Sequence, residues 1–450
     1  MNIVNYAKID QLLTKSYEKS FLQEILSKAR QARGLDIAEV AALLLNEDEE
    51  IWQEIEEVAR EIKFQIYGAR LVLFAPLYIA NYCHNDCVYC AFRCSNQSIQ
   101  RNRLTAEEIG AEVRCLVQQG HKRLLLVAGE ETNDGYVDYL RSSIEATYAA
   151  GDIRRVNINV APLTEEQFST IRQVGIGTYQ LFQETYQPIT YQKMHPKGKK
   201  ADYQWRITAF DRAIKAGIDD FGMGVLLGLE DYRFELLALM EHIRYLENKF
   251  GIGPHTISVP RWRPAQGALV DRMPYSITDQ QMERIVMILR LAVPYTGIIL
   301  STRENPQFRD RLIHLGVSQL SAGSSTSPGG YVAKGQGDQF AVEDHRSLDD
   351  VVRSIISAGY LPSFCTACYR KERTGKAFMD LAKEGQIKQM CQINALLTLE
   401  EHLLDCGSES TRQAAEGQLH AWIEPMTTQE RQLLNNGIAK MKQGLRDIYY

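Results

Sequence analysis

The feature that most constrains this chain is an alternation sustained over most of its length. Eight short runs rich in aliphatic, β-branched and aromatic residues recur between residues 71 and 326: LVLFAPLYIA (71–80), RLLLVAG (123–129), RRVNINVAPL (154–163), TYQLFQET (178–185), DDFGMGVLLGL (219–229), HTISVPRW (255–262), TGIILSTRE (296–304) and SQLSAGSST (318–326). Between them stand segments with apolar residues three and four apart, among them AEEIGAEVRCLVQQG, EEQFSTIRQVG, YQWRITAFDRAIKAG and RFELLALMEHIRYLENKFG, and SLDDVVRSIISAG follows the eighth run. Eight strand-then-helix units predict an α/β fold, a closed (β/α)8 TIM-type barrel ahead of an open doubly wound sheet. Residues 1–66 read as an N-terminal helical extension, 67–360 as the barrel, and 361–450 as a helical, cysteine-bearing C-terminal region. The Gly-rich GGYVAKGQGD (329–338) reads as a mobile loop.

Composition excludes several function classes. The 51 basic residues are balanced by 56 acidic ones, for a net charge of -5, which leaves no broad electrostatic footprint for nucleic acid. No uninterrupted apolar run is long enough to span a bilayer, and the N-terminus lacks the pattern of a secretion signal, so a cytoplasmic location with no membrane attachment is expected. Nine cysteines in a reducing compartment point to metal or redox chemistry ahead of disulfides.

Three of them, Cys83, Cys87 and Cys90, sit directly behind the first strand in a C-x3-C-x2-C spacing. Structural zinc is the bland alternative, but His84 is adjacent to Cys83 and would have to double back to complete a tetrahedron. Three thiolates with one open corner also suit a 4Fe-4S cluster that leaves one iron free for a small molecule. The loop after a barrel strand opens at the C-terminal mouth, where active sites form.

These three cysteines, with Tyr89 before the last, resemble the signature of radical S-adenosylmethionine (SAM) enzymes. The resemblance implies a 4Fe-4S cluster on Cys83, Cys87 and Cys90 whose free iron chelates SAM. AGE (128–130) resembles the family's GGE motif, with Ala128 in place of the first glycine, which implies a SAM contact through Gly129 or Glu130. Arg206 matches an arginine that binds the SAM carboxylate in related enzymes, and Glu184 sits where family members contact the SAM ribose or ammonium. The competing account of both is an ordinary surface or interhelical ion pair.

Downstream, Cys365, Cys368 and Cys391 form a second three-thiol set, C-x2-C-x22-C. This spacing resembles the tyrosine lyase branch that matures FeFe-hydrogenases, as do GTYQLFQETY, HPKGKKADY, LSTRE and PSFCTACYR. Barrel topology adds that the chain leaving the last helix emerges at the bottom, opposite the mouth. His255, at the start of the sixth strand, belongs there too. The resemblance makes His255 a ligand of an extra iron on a second 4Fe-4S cluster; the bland account makes it a strand-initiating residue bonded to backbone. It further implies that a radical derived from SAM cleaves L-tyrosine to p-cresol and a dehydroglycine fragment that becomes carbon monoxide and cyanide. Implied partners are a reductant such as ferredoxin or flavodoxin and the other hydrogenase-maturation proteins.

At the ends of the seventh and eighth strands, Arg303 is the candidate for the tyrosine carboxylate, against a rim salt bridge with Glu304, and Ser324, Ser325 and Thr326 are candidate donors to substrate. Asn157, Asn159, Gly222, Gly224, Ser258 and Ser321 occupy strand positions where bulky residues are expected, as a route through the barrel would require. Cys94, Cys115 and Cys406 match no ligand position. Two rivals remain open at this level: a thiamine-pathway-type 2-iminoacetate synthase that stops at dehydroglycine, and a zinc-stapled scaffold that binds a partner protein without catalysis.

Overall fold

The computed structural model describes residues 3–333, 337–383 and 387–450. Residues 334–336, within the stretch expected to form a mobile loop, lie outside the described residues. Among the described residues nine strands form one all-parallel sheet: β1 (Arg70–Ala80), β2 (Arg123–Ala128), β3 (Arg155–Asn159), β4 (Tyr179–Glu184), β5 (Phe221–Val225), β6 (Thr256–Ser258), β7 (Gly297–Leu300), β8 (Gln319–Ser321) and β9 (Leu361–Ser363). Strands β2 to β8 follow in order, and β1 pairs with both β8 and β2, which closes the eight-stranded barrel.

Both faces of the wall are buried, and β1, β2 and β7 accordingly read as largely continuous apolar runs, while polar or glycine residues interrupt β3, β4, β5, β6 and β8. On β1 and β2, Phe74, Tyr78, Leu125 and Val127 pack inward with Phe92 and Ile299. Their neighbours Leu73, Leu77, Leu124 and Leu126 pack outward into the helical layer. Several wall helices begin on reciprocal caps at Thr105 with Glu108, Thr164 with Gln167 and Thr278 with Gln281. Each such cap is worth about 1 kcal/mol and fixes where a loop ends. The segment expected as one helix over YQWRITAFDRAIKAG divides at Thr208 into Tyr203–Ile207 and Ala209–Lys215. There the Thr208 hydroxyl donates to Gln204 O at 2.6 Å, a local bond that competes with helix continuation.

The chain beyond Gly359 does not begin as helix. It forms β9, which pairs Arg70 with Leu361, Leu71 with Pro362 and Val72 with Ser363, at the start of β1. Pro362 lacks a backbone donor and is tolerated because β9 pairs on one side only among the described residues. No helix of the described residues is long and apolar enough to cross a membrane.

Candidate active site at the barrel mouth and a second thiol site beneath it

A cavity of about 1380 Å³, including its solvent opening, fills the C-terminal mouth. It gathers Cys83, Cys87, Cys90, Tyr89, Gly129, Glu130, Glu184, Arg206, Arg303 and Thr326 from loops far apart in sequence. Ser324 does not line it; its hydroxyl is buried without a hydrogen-bond partner among the described residues. Ser325 instead bonds the neighbouring Ser327 hydroxyl at 3.4 Å. His84 turns aside to Thr132, 2.7 Å away.

Two strand ends shape this rim. The β1–β2 register slips between Tyr78 and Ala80, and the β4–β5 register slips between Phe182 and Glu184. Such irregularities re-aim the residues that follow. Gly129 marks where the end of β2 meets the cysteine loop, since a Cβ there would run into the Tyr82 carbonyl. Only glycine admits that approach. Ala128, which departs from the family motif, stays within β2 and pairs with Ala80.

The charged side chains form one buried array. Arg206 donates to Glu130 at 2.8 Å and to Phe182 O at 2.8 Å, and lies 3.6 Å from Glu184. Lys200 donates to Glu184 at 2.6 Å, and Asn85 to Glu130 at 2.8 Å. Burial opposes the charge on Glu130, but Arg206 and Lys200 hold its carboxyl below the usual range. Lys200 keeps its proton more firmly than a free lysine, because Glu184, the Cys87 thiol and Glu130 outweigh its burial and the repulsion of Arg206. Arg206 and Glu184 thus do form ion pairs, as the competing account expects, but these lie inside the barrel mouth rather than on the surface or between helices.

Arg303 and Glu304 part company. Glu304 accepts from Arg261 at 3.0 Å and from Arg263 at 2.8 Å. The Arg303 guanidinium carbon lies over the Phe340 ring, 3.4 Å from its centroid, with one long bond to Arg261 O at 3.4 Å. Arg303 lines the cavity and forms no ion pair among the described residues.

Sequence reasoning missed two neighbours. His195 accepts at Nε2 from the Tyr89 hydroxyl, 2.8 Å away, while its Nδ1 donates to Tyr191 O at 2.8 Å. That bond fixes the ring's tautomer and orients Tyr89 beside Cys90. Lys200 is the other. Both lie in HPKGKK, and only their spatial partners reveal a role.

Do the mouth residues fit an iron–sulfur cluster? Burial pushes the thiols up, to about 12 at Cys83 and Cys87 and about 11 at Cys90. These three thiols on one cavity wall, Cys87 buried and Cys83 and Cys90 half-buried, are therefore poor anions until a cation meets them, and a soft iron cluster is the fitting one.

The second set lies at the other end of the barrel. Cys365 follows β9, and its carbonyl accepts from Arg123, the first residue of β2, at 2.7 Å. Tyr369 meets Thr178, just before β4, at 3.0 Å and lies under the Arg155 guanidinium. Cys365, Cys368 and Cys391 line one small cavity with Arg373, Phe378 and Asn394. His255 stacks on Phe378 with centroids 4.2 Å apart, and its Nδ1 lies 3.1 Å from Asp220. A hydrogen bond from the Cys368 thiol lowers Cys391 to about 6, against its burial, with help from Arg70, Arg373 and His255. The same bond, with burial, raises Cys368. Burial also raises Cys365, so Cys391 alone is poised as a thiolate, and Arg70, Arg123 and Arg373 around the set suit the negative charge that a thiolate-bound cluster would bring. The described residues include no group of three or more His, Cys, Asp or Glu arranged for a single metal ion.

Of the small interior residues, Asn159, Ser258 and Ser321 line the mouth cavity. Asn157 instead accepts from Thr178 N at 3.0 Å. Gly222 and Gly224 open no space, because Gln180 and Phe182 fill the room they leave. Of the remaining cysteines, Cys94 and Cys115 are half-buried outside both cavities, and Cys406 packs near Gly120.

Comparisons with known proteins agree with this arrangement. Residues 77–243 match the Radical SAM superfamily, and residues 258–361 match the Biotin and Thiamin Synthesis associated domain. A crystal structure of HydG, a maturase of the [FeFe]-hydrogenase, superposes with a TM-score of 0.97 at 47% identity over 100% of both chains. The chain belongs to the HydG family of radical SAM enzymes. The family's maturase from Carboxydothermus hydrogenoformans is 40% identical, with a TM-score of 0.85 over 98% of this chain and 100% of that one. The 2-iminoacetate synthase of Escherichia coli (strain K12) is 34% identical, but the match spans 75% of this chain and 89% of that protein. Radical SAM membership implies a 4Fe-4S cluster and SAM.

Proposed function

We propose that this protein is a radical SAM tyrosine lyase that converts L-tyrosine to p-cresol, carbon monoxide and cyanide and builds an iron–carbonyl–cyanide precursor for FeFe-hydrogenase. The observation that carries the reading is the pairing of two three-thiol sites, at opposite ends of one barrel, in a chain that matches HydG over its full length. A 4Fe-4S cluster on Cys83, Cys87 and Cys90 would supply the electron that splits SAM into methionine and a 5′-deoxyadenosyl radical.

The protein's own groups bind, orient and shield. Glu130, Glu184, Lys200 and Arg206 form a fixed array of both signs, suited to the ammonium and carboxylate of SAM. Tyr89 is held beside it by His195. The Arg303 fork would offer paired donors to the tyrosine carboxylate, and the Phe340 ring packs against the guanidinium. Thr326 lines the cavity, but its hydroxyl is held by Asp338 at 3.0 Å and by Phe340 O at 3.2 Å, so it supports the wall rather than offering a free donor. Breaking Cα–Cβ of tyrosine yields p-cresol and dehydroglycine, and dehydroglycine balances as one carbon monoxide, one hydrogen cyanide and one water.

Below, Cys365, Cys368 and Cys391 would hold a second 4Fe-4S cluster, with His255 holding the iron that leaves as product. Asp220 faces His255 Nδ1, which leaves the other ring nitrogen as the metal-binding one. A small reductant such as ferredoxin or flavodoxin and the other maturation proteins complete the system. Anaerobic reconstitution with iron and sulfide, followed by a tyrosine-dependent assay, tests the proposal. It expects two clusters per chain and formation of p-cresol, carbon monoxide and cyanide. One cluster, with p-cresol but no carbon monoxide, would instead identify a lyase that stops at dehydroglycine.

A further inference from the structure

We propose that Glu235, buried behind the barrel mouth, is the positioning residue that locks Glu184 into a left-handed backbone conformation and thereby sets its carboxylate against Lys200 and Arg206. The inference rests on the reading of the mouth as the SAM site.

Glu184 has φ 71°, a region that a residue with a Cβ occupies only where its surroundings over-determine it. The sheet does not supply that constraint alone. The β4–β5 register has already slipped by Glu184, although Leu226 N still donates to Glu184 O at 2.9 Å. The decisive contacts fall on the next two residues. Glu235 accepts from the Thr185 hydroxyl and from Tyr186 N, the latter at 2.9 and 3.2 Å to its two oxygens. One carboxylate thus grips two consecutive residues immediately after the strained one. Tyr186 is fixed again at its far end, where its hydroxyl lies 2.9 Å from His242 Nδ1, and its carbonyl accepts from the Tyr203 hydroxyl at 3.0 Å.

Glu235 is 1% exposed and has no cationic partner within salt-bridge distance among the described residues. A carboxylate placed there without a counter-ion is costly unless hydrogen bonds define its purpose. Burial pushes its carboxyl up to about 8, against the Thr185 and Tyr186 bonds, so a full negative charge is not what the grip depends on. A glutamine of the same shape can then take its place, accepting from Tyr186 N with its oxygen and donating to the Thr185 hydroxyl with its amide.

The test compares the reconstituted wild type with Glu184→Ala, Glu235→Ala and Glu235→Gln, reading KM for SAM, KM for tyrosine and kcat. Glu235→Ala should raise the SAM KM about tenfold and leave the tyrosine KM within about twofold, while Glu235→Gln stays within about threefold of wild type. If Glu184→Ala raises the SAM KM and Glu235→Ala does not, the positioning inference is overturned and the mouth reading stands. If Glu184→Ala itself leaves the SAM KM unchanged, the mouth reading falls first. Should Glu235→Ala fail to fold, Thr185→Val removes the hydroxyl that Glu235 holds while keeping the side chain's shape. A raised SAM KM there supports the lock, and an unchanged one overturns it.

Discussion

At the scale of single residues, sequence neighbours take opposite tasks. Glu304 is 1% exposed and held by Arg261 and Arg263, so the rim salt bridge open to Arg303 from sequence does not form. Arg303 is thereby left without an acidic partner among the described residues, as its proposed role toward a substrate carboxylate requires. Arg303→Ala should therefore raise the tyrosine KM at least about tenfold, since a charge-assisted bidentate pair is lost, while tyrosine-independent SAM cleavage persists. Arg303→Lys should recover little, because an ammonium lacks the fork. Unchanged tyrosine dependence in the alanine variant would remove Arg303 from the site. Replacing any of Cys83, Cys87 or Cys90 by alanine should abolish 5′-deoxyadenosine formation; appreciable product from a purified variant would contradict the assignment. The cysteines were legible because ligand spacing is local. Lys200, His195 and Glu235 were not, because each acquires its meaning from partners between 16 and 106 residues away.

At the scale of elements, the eight barrel strands showed in the sequence through their β-forming content and regular alternation with helical segments, and burial on both faces makes β1, β2 and β7 largely continuous apolar runs. The ninth did not: three residues with a central proline carry neither periodicity nor a strand-forming core. Yet β9 is what carries Cys365 to the bottom of the barrel. The helix Ile387–Asp405 then packs His402 against Phe364 and next to His121, just ahead of β2. Burial lowers His121 to about 3 and His402 to about 4; around His402, Asp349 and Asp405 pull upward and Lys122 downward. Unfolded histidine titrates near 6.5, so the unfolded chain takes up protons first as pH falls. Stability from this contact is full above pH 6.5 and is lost on acidification, by about 2 kcal/mol per imidazole at pH 5. Melting curves should show Tm falling more steeply between pH 6.5 and 5 in the wild type than in His402→Leu. Equal slopes would show that the pair does not govern acid lability.

At the scale of the whole molecule, the barrel separates two kinds of chemistry. Its mouth gathers the SAM-type array and Arg303, and its lower rim gathers three thiols and His255. Topology alone placed the second set below, since a strand-helix barrel always returns the chain to the bottom. The packing of Gln180 and Phe182 into the space left by Gly222 and Gly224 was invisible until side chains were seen. The separation predicts that the two halves of the reaction can be uncoupled by substitution. The most direct measurement is a parallel assay of p-cresol and carbon monoxide from the anaerobically reconstituted variant carrying Cys365→Ser and Cys368→Ser. The account predicts p-cresol close to the wild-type amount, with carbon monoxide sharply reduced. A variant that still releases carbon monoxide and yields a competent hydrogenase precursor would contradict it.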